Sequence, residues 1–284
     1  MNYRHAFHAG SFADVLKHAV LVRALLHLCE KKAAFRVIDT HAGAGRYDLH
    51  GSAAERTGEW RSGIGRLFDD PPGGGAGALL EPYLALVRAE NAEGALRYYP
   101  GSPLIARALC RPHDRMIFCE REPTARKALT AALGPDRRAK ISELDGWIGL
   151  KALLPPPERR GLVLVDPPFE APNEFERIIE GLAVAHRRFA GGTYLLWYAI
   201  KEPAAVESFC RRVTRLGIPK MLRLELAVTA PRPDAPLAGC GLIAVNPPWT
   251  LEGDMKVLLP ALVARLGRAG GGFRIDHLAA GVRT

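Results

Sequence analysis

The chain has 284 residues, of which 48% are apolar and 24% are charged, and its formal net charge is +9. This apolar content supports a sizeable core. The sequence has no apolar run near 18 residues and no signal-peptide core, so we expect neither a membrane-spanning helix nor a secreted chain. Five dispersed cysteines without a C-x-x-C pair argue against a zinc site and for reduced thiols in the cytoplasm. The basic balance favours a polyanionic partner, most simply nucleic acid.

Apolar runs and helical periodicities alternate along the chain. A helix is predicted over residues 13–29, and seven strands are predicted to end at Asp39, Glu120, Ser142, Asp166, Tyr198, Val228 and Asn246. Further helices are predicted over residues 103–110, 122–133, 147–153, 173–189, 203–216 and 251–266. Strands that alternate with helices favour a mostly parallel sheet covered by helices on both faces. One of the last two strands is a candidate to run antiparallel.

The connection between the first two predicted strands is too long for a simple crossover. Its surplus, residues 47–99, contains helix-like segments at 58–68 and 79–91, with a glycine-rich kink between them. We therefore predict a single α/β domain over residues 1–284, with a small helical insertion at 47–99. The insertion carries five Lys and Arg residues against eight Asp and Glu residues, so the excess positive charge lies in the N-terminal arm and within residues 121–140, 159–160, 187–188 and 211–223.

Glycine-rich or acidic sequences follow four successive strands. Residues 39–45 (DTHAGAG) form a turn in which the backbone can approach a ligand closely, although a plain tight turn is the alternative. Glu120 can accept hydrogen bonds from the two hydroxyls of a ribose, or it is a solvated strand end. Asp145 and Gly146 suit contact with an adenine edge. Together with Asp166, these signals lie at the carboxyl ends of successive strands and predict a nucleoside-binding edge of one sheet.

The segment Asp166-Pro167-Pro168-Phe169 carries the predicted chemistry. The Asp166 carboxylate and the Pro167 carbonyl can each accept one proton of an exocyclic amine. This pushes the nitrogen towards a pyramidal, nucleophilic geometry and stabilises the positive charge that develops as it attacks a sulfonium methyl group. Phe169 can stack on the base, which must be unstacked or flipped to reach the site. The segment therefore predicts metal-free methylation of an adenine, with Asp166, Pro167 and Phe169 as the catalytic set.

Two further motifs keep alternatives open. Asn246-Pro247-Pro248-Trp249 is a near-copy of the acceptor turn, but no cofactor loop precedes it at suitable spacing. We favour a rigid turn that covers the end of the sheet, and we leave open that Trp249 lines the pocket. The N-terminal arm, residues 3–11, interleaves aromatics with Arg and His, which suits RNA contacts unless the arm is tucked onto the core. His18 and His41, judged singly, are more often packing residues than ligands.

Long stretches of the chain resemble the bacterial 23S ribosomal RNA adenine-N6 methyltransferase family of the J type. The resemblance covers almost the whole chain and rests on YRH at 3–5, FHAG at 7–10, ADVLKH at 13–18, DTHAGAGRY at 39–47, ERTGE at 55–59, RYYPGSPLIAR at 97–107, DPPF at 166–169, GTY at 192–194, WY at 197–198 and NPPW at 246–249. The chain departs from the family at Phe169, where the family usually has Tyr.

The resemblance implies a class I S-adenosylmethionine-dependent methyltransferase fold: Rossmann-like, with a seven-stranded, mostly parallel sheet and a helical insertion after the first strand. It implies S-adenosylmethionine as the donor, without a metal, and 23S ribosomal RNA as the partner, in naked form or in early assembly intermediates. It also implies functions for single residues. Asp166 would be the catalytic acceptor, Tyr3 would contact RNA, and the donor site would be lined by His18, His41, Ser102, Glu120, Asp145, Gly146 and Asp166.

We therefore expect an enzyme that methylates the N6 of one adenine in 23S ribosomal RNA. Within enzymes, the alternative is a DNA adenine-N6 or protein amide methyltransferase that uses the same turn. Outside enzymes, it is a non-catalytic RNA-binding assembly factor, although such a factor has no need of a pocket that polarises an amine. We expect a cytoplasmic monomer, since no sequence feature indicates an exposed apolar dimer surface.

Overall fold

The computed structural model describes residues 5–230 and 237–278. A 3-10 turn at His5–Phe7 precedes the helices α1 (Phe12–Glu30), α2 (Ser52–Thr57), α3 (Glu59–Ser62), α4 (Ile64–Asp69), α5 (Gly74–Ala89), α6 (Ser102–Leu109), α7 (Pro123–Leu133), α8 (Gly146–Ala152), α9 (Glu174–Arg188), α10 (Pro203–Thr214) and α11 (Leu251–Leu266). The strands are β1 (Arg36–Asp39), β2 (Arg46–Asp48), β3 (Tyr98–Pro100), β4 (Arg115–Cys119), β5 (Ala139–Ser142), β6 (Gly161–Val165), β7 (Thr193–Ile200), β8 (Met221–Ala227), β9 (Gly239–Val245) and β10 (Gly272–His277).

The main sheet has the strand order β10-β8-β9-β7-β6-β1-β4-β5 across the described residues. The five strands from β5 to β7 are parallel, whereas β9 runs antiparallel to both of its neighbours. Every residue of β6 and β9 is buried, as expected for strands covered by helices on both faces. The structure confirms the predicted Rossmann-like α/β fold, including an antiparallel strand among the last two.

The predicted number of strands is wrong, because the sheet has eight strands in the described residues rather than seven. The additional strand is β10, which pairs antiparallel with β8 at the edge of the sheet. Its residues are half-buried or exposed, two glycines precede it and a third is its first residue. An edge strand of this kind lacks the apolar run by which the other strands are recognised.

Two apolar cores lie on the two faces of the sheet. The larger core includes side chains from α1, α5, α6, α7 and α11, and the smaller includes side chains from α8, α9 and α10. Helix α1 is buried along most of its length between the sheet and the helices after β2. Because α1 is enclosed, its few polar side chains must be satisfied inside the protein.

The segment between β1 and β4 contains α2 to α5, closed by the pairing of Tyr47 in β2 with Tyr99 in β3. Both predicted helices are present, but the first is divided at Gly63 into α3 and α4, and α2 was not predicted. The boundaries of the insertion, 47–99, stay a prediction. Within the parts of the chain that the structure describes, no helix is long and apolar enough to span a bilayer.

Candidate active site

The carboxyl ends of β5, β4, β1 and β6 lie side by side at one edge of the sheet, which we call the carboxyl edge. The parallel register pairs Asp39 with Phe118 on one side and with Leu164 on the other. Consequently the loops that begin at Asp39, Glu120 and Asp166 emerge next to one another. The structure therefore assembles, at a single edge, the four strand-end signals that the sequence places far apart.

The glycine-rich loop after β1 is held against the loop after β4. The Ala42 amide donates to the carbonyl of Cys119 at 3.0 Å, and the Gly43 amide donates to Glu120 Oε2 at 2.8 Å. Gly43 has φ +65°, a conformation that glycine adopts at little cost. The Glu122 amide donates to the other oxygen, Glu120 Oε1, at 2.7 Å. Two backbone amides thus orient the Glu120 carboxylate, and each oxygen retains capacity to accept a ligand hydroxyl.

Asp39 and Ser102 meet beneath this loop. The Ser102 hydroxyl donates to Asp39 Oδ2 at 2.6 Å, and the His41 amide donates to Asp39 Oδ1 at 3.1 Å. Asp39 is buried, and this burial raises the pKa of its carboxyl group to about 7. Ser102 therefore lies one hydrogen bond from the residue that begins the glycine-rich loop.

The orientation of His41 follows from its neighbours. The Thr40 hydroxyl donates to the carbonyl of Leu164 at 3.0 Å, so the ring Nδ1 of His41, at 2.7 Å from that hydroxyl oxygen, must be the donor between them. Burial lowers the pKa of His41 to about 4, so the ring is neutral near pH 7. Its Nε2 is then left as an acceptor. The ring packs edge-on against Trp147 at 5.3 Å between centroids.

Asp145 and Gly146 form the start of α8. Asp145 caps the helix, accepting from the Trp147 amide at 2.9 Å, and its other oxygen lies 3.5 Å from Arg121. A Cβ atom on Gly146 would lie 2.1 Å from the carbonyl oxygen of Thr40. The small residue at 146 therefore allows α8 to approach the loop after β1, a reason that the sequence did not reveal.

His18 is buried in a chain of phenol groups. Its ring Nδ1 lies 2.7 Å from the Tyr99 hydroxyl, which lies 2.9 Å from the Tyr83 hydroxyl. Burial lowers the pKa of His18 to about 3, so the ring is neutral. These contacts join α1 to α5 and β3. The role of His18 in binding a donor stays a prediction, and its observed contacts are with tyrosines.

Asp166 at the end of β6 is paired with Lys17 of α1. Lys17 Nζ lies 2.5 Å from Asp166 Oδ2 and 2.7 Å from Asp14 Oδ1, and the lysine side chain is only 4% exposed. Burial alone would lower the pKa of Lys17, but the charges of Asp14 and Asp166 outweigh it and hold this pKa well above its usual value. Asp166 Oδ1 makes no hydrogen bond with the described part of the protein, so it is available to a ligand.

Lys17 and Asp14 are the site residues that sequence reasoning missed. Both lie in α1, where a charged pair at positions i and i+3 is normally assigned to a solvated helix face. The available signal was their position within an otherwise apolar helix. Asp14 also receives the Gly10 amide at 2.9 Å and lies 3.0 Å from His5 Nε2. The N-terminal arm is thus connected to Asp166 through two charged side chains.

Phe169 has an uncommon backbone conformation. Its φ is +52°, a left-handed value that costs a non-glycine residue about 1–3 kcal/mol and occurs often at functional sites. Its ring packs edge-on against Phe175 at 5.2 Å and Trp197 at 5.6 Å, and Lys201 donates to its carbonyl at 3.2 Å. Pro167, between Phe169 and Asp166 in the chain, is buried. The turn that contains Phe169 is therefore held by ring packing and by a hydrogen bond to its backbone.

The second proline turn lies at the opposite edge of the sheet. Because β9 is antiparallel, its last residue, Val245, pairs with Tyr194 near the start of β7. The suggestion that Trp249 lines the same pocket is therefore wrong, and its side chain is 83% exposed. The turn is rigid, as expected, because the Asn246 side-chain amide donates to the carbonyls of Ala190 and Gly192, each at 2.8 Å.

Other predictions concern the arm and the metal. Tyr3 lies outside the described residues. The arm from His5 onwards packs on α1 and on the helices after β2, with His8 3.0 Å from Glu59 and Thr57 donating to the carbonyl of Phe7. Within residues 5–230 and 237–278, no group of three or more His, Cys, Asp or Glu side chains is arranged to hold a metal ion.

Comparisons with known proteins agree on one family. The family model described as "Ribosomal RNA large subunit methyltransferase D, RlmJ" matches residues 32–279. Two proteins named ribosomal RNA large subunit methyltransferase J are similar over 96% of both chains: that of Escherichia coli K12 is 43% identical and that of Haemophilus influenzae Rd is 40% identical. The crystal structure of protein LPL1258 from Legionella pneumophila superposes with a TM-score of 0.86 at 33% identity, over 95% of this chain and 98% of that chain.

Proposed function

The chain belongs to the RlmJ family of ribosomal RNA large subunit methyltransferases, and from this membership we propose that it transfers a methyl group from S-adenosylmethionine to the N6 of one adenine in 23S ribosomal RNA. Membership makes it an enzyme of class I methyltransferase fold that methylates ribosomal RNA. The donor, the acceptor atom and the roles of single residues are the further content of the proposal. We propose that it acts on naked RNA or early assembly intermediates in the cytoplasm, because the target base must be accessible.

The carboxyl edge fits an adenosine-bearing donor. Glu120 presents two carboxylate oxygens that are already oriented by backbone amides, which suits the two hydroxyls of a ribose. His41, Ser102, Asp145 and Gly146 lie around the same edge, with His18 in the adjacent helix α1. When bound, S-adenosylmethionine supplies an electrophilic methyl carbon on a sulfonium. The protein contributes the position and orientation of the acceptor.

Asp166, Pro167 and Phe169 would bind the acceptor adenine. Asp166 Oδ1 and the Pro167 carbonyl would each accept one proton of the amino group, which reduces delocalisation of the nitrogen lone pair into the ring. Phe169 would stack on the base and hold the nitrogen in line for attack. The left-handed backbone at Phe169 supports this assignment, because residues in strained conformations occur often at active sites.

Lys17 would orient the Asp166 carboxylate in its largely enclosed position. An ionised carboxylate only accepts hydrogen bonds, whereas a protonated one also donates and would then oppose the amino group. Lys17 Nζ binds Oδ2 of Asp166 at 2.5 Å, which leaves Oδ1 for the amine. As the nitrogen becomes positively charged, Asp166 lies where it can stabilise that charge and accept the released proton.

The observation that carries the proposal is the Lys17–Asp166 pair at the end of β6, next to the Pro-Pro-Phe turn and beside Glu120 at the same edge. Asp166→Asn and Asp166→Ala should each lower the rate of methyl transfer to 23S RNA by at least a hundredfold, because they remove a charged acceptor from the reacting nitrogen. Donor affinity, measured by calorimetry, should change much less. Asp69→Asn, an exposed carboxylate outside the site, is the matched control.

Methylated products should be mapped on RNA from a strain that lacks the protein, before and after treatment with the purified enzyme. Appearance of N6-methyladenine at one position supports the proposal, and transfer to duplex DNA or to a glutamine peptide in preference to RNA would refute it. If Asp166→Ala methylates 23S RNA at the normal rate, the assigned mechanism is wrong. If the wild-type protein binds RNA tightly but forms no product, it is a binding factor.

A further inference from the structure

Positive charge is concentrated at the edge of the sheet opposite the candidate active site, which we call the amino edge. The connections that lead into β1, β4, β5, β6, β7 and β8 are residues 30–36, 110–115, 134–140, 154–160, 186–192 and 215–221. They contain fourteen Lys and Arg residues against four Asp and Glu residues. At the carboxyl edge, the segments 39–45, 120–122, 142–146, 166–173 and 201–202 contain two Lys and Arg residues against eight acids.

Some of the amino-edge arginines have structural partners. Arg111 donates to the carbonyls of Cys29, Lys31 and Ala33 and pairs with buried Asp114, and Arg36 pairs with Glu158 at 2.8 Å. These residues secure the ends of helices and strands, so they cannot by themselves indicate a ligand.

A second group has no such role. Eight exposed amino-edge cations make no hydrogen bond or ion pair through their side chains within the described residues, and we call them the basic belt: Lys31, Lys32, Arg137, Lys140, Arg159, Arg187, Arg215 and Lys220. They lie at the amino ends of β5, β1, β6, β7 and β8, and none of them lies in the connection into β4. Unpaired like charges in a row repel one another, which costs stability unless an anion binds them.

The second proline turn brings an aromatic side chain to the same edge. Asn246 donates through its backbone amide to the carbonyl of Lys220 at 2.9 Å, and through its side chain to the loop that follows Arg187. Trp249, three residues later, is 83% exposed. An indole held out from a rigid turn between basic segments is the combination that binds an unpaired nucleobase and its flanking phosphates.

We propose that the basic belt and Trp249 form a second RNA-contacting surface, distinct from the carboxyl edge that would receive the target adenine. This inference rests on the proposed function, since it assigns a further contact to the same RNA. From β5 to β9 the edge extends about 24 Å at ~4.8 Å per strand, and the two edges lie about 15 Å apart along the strands. An RNA that presents a base at one edge can therefore reach the other with a neighbouring segment.

The chemistry favours RNA over other occupants. The carboxyl edge is acidic, so it cannot supply the phosphate contacts that dominate affinity for nucleic acid. The basic belt can supply them, because its cations are exposed and unpaired. A membrane surface would need several apolar side chains beside the cations, whereas Trp249 is the one large apolar side chain of the proposed surface.

Two pairs of charge reversals test the belt: Lys31→Glu with Lys32→Glu, and Arg137→Glu with Lys140→Glu. The control, Arg88→Glu with Lys256→Glu, makes the same change in net charge on α5 and α11. Substrates are full-length 23S RNA and a short hairpin that contains only the mapped target adenine and its stem. In each belt variant, the ratio of kcat/KM for the long RNA to that for the hairpin should fall about tenfold. The control ratio should change less than threefold.

Direct binding to 23S RNA at several salt concentrations gives a readout that does not require catalysis. Each lost phosphate contact lowers the slope of log affinity against log salt by about 0.7–0.9, so each belt variant should reduce the slope by about 1.5. Wild-type slopes and ratios in both belt variants would overturn the proposal, as would equal losses on the long RNA and the hairpin. A wild-type enzyme that methylates neither RNA would refute the proposed function, and the slopes would still test the belt.

Trp249→Ala should weaken binding to 23S RNA about five- to a hundredfold, the range expected for loss of one base–aromatic stack. Trp249→Phe should retain most of the affinity. Phe273→Ala removes another exposed aromatic, 48% accessible and on β10, and should have little effect. Thermal unfolding of all three variants checks the fold. Wild-type affinity in Trp249→Ala would show that the indole is not part of the contact.

Discussion

Replacing Lys17 by methionine tests whether the charge of this lysine stabilises the two carboxylates that it contacts at the candidate site. In the wild-type protein, the lysine ammonium lies 2.5 and 2.7 Å from two carboxylate oxygens, of Asp166 and Asp14, and all three side chains are at most 14% exposed. At an effective dielectric constant near 20, each attraction is about 6 kcal/mol, which offsets desolvation of the three ions. Lys17→Met keeps an unbranched side chain that is one heavy atom shorter, and it removes the charge together with its hydrogen-bond donors.

The variant leaves two buried carboxylates without their shared cation. Breaking a buried pair in this way costs about 3–5 kcal/mol of unfolding free energy, to be measured by urea denaturation at pH 7. Burial would raise the pKa of Asp14, but the charges of His5 and Lys17 outweigh it and hold this pKa well below its usual value. Without Lys17, Asp14 should bind a proton more readily, so part of the lost stability should return as the pH is lowered. Methyl transfer should also fall, because Asp166 loses the hydrogen-bond donor that orients its carboxylate.

Lys256 provides a control of the same residue type. It lies 2.7 Å from Glu252 but is 63% exposed, so Lys256→Met should change the unfolding free energy by no more than about 0.5 kcal/mol. A Lys17→Met protein that is as stable as Lys256→Met, and that methylates RNA at the wild-type rate, would show that the buried cluster does not hold Asp166 in its active form.

Three further substitutions probe the carboxyl edge. Asp39→Asn removes a carboxyl group whose pKa is raised from 3.8 to about 7, mainly by burial. Because the folded wild-type protein loses stability as the pH rises between these values, the melting temperature of the variant minus that of the wild type should increase from pH 5 to pH 8. A difference that stays constant over this range would contradict the argument. Gly146→Ala places a methyl group 2.1 Å from the Thr40 carbonyl oxygen, so α8 must shift, with a loss of about 1–3 kcal/mol in urea titrations; an unchanged midpoint would refute the close approach. Glu120→Gln places a side-chain NH2 group against the backbone amide of Gly43 or of Glu122, so two hydrogen-bond donors face each other. The affinity for S-adenosylmethionine, measured by calorimetry, should fall about five- to a hundredfold, with a smaller change in kcat. An unchanged affinity would show that Glu120 is not part of the binding site.

Much of the fold could be predicted because its central strands are apolar runs that end in polar residues. β6 and β9 are buried throughout, so their sequences have little freedom. By contrast, β10 is half-exposed at an edge and is held mainly by backbone pairing with β8. Its side chains carry little information about that pairing, which explains why the predicted number of strands was too low.

The location of the second proline turn could not be predicted from its sequence. Asn246-Pro247-Pro248-Trp249 and Asp166-Pro167-Pro168-Phe169 both follow buried strands, but only the direction of each strand decides which edge the turn occupies. That direction depends on how β9 inserts between β7 and β8, a long-range property. The local motifs therefore indicated that Asp166-Pro167-Pro168-Phe169 belongs to the carboxyl edge, but they did not show that the second turn lies at the opposite edge.

The pairing of Lys17 with Asp166 at the carboxyl edge could not be predicted from local sequence either. Lys17 and Asp166 are separated by 149 positions, and neither alone indicates the other. The turn after β6 indicates Asp166, whereas Lys17 lies in a helix whose apolar pattern predicts only packing. The partner of a buried charge becomes evident once the fold encloses both groups, because enclosure makes an unpaired charge too costly.

The linkage from His5 through Asp14 and Lys17 to Asp166 has a practical consequence for work on the purified enzyme. His5 lies 3.0 Å from Asp14, and Asp14 lies 2.7 Å from Lys17, so a purification tag fused ahead of His5 would act on a residue that is joined to Asp166 through Asp14 and Lys17. Kinetic constants from such fusions should be compared with those of protein from which the tag has been cleaved.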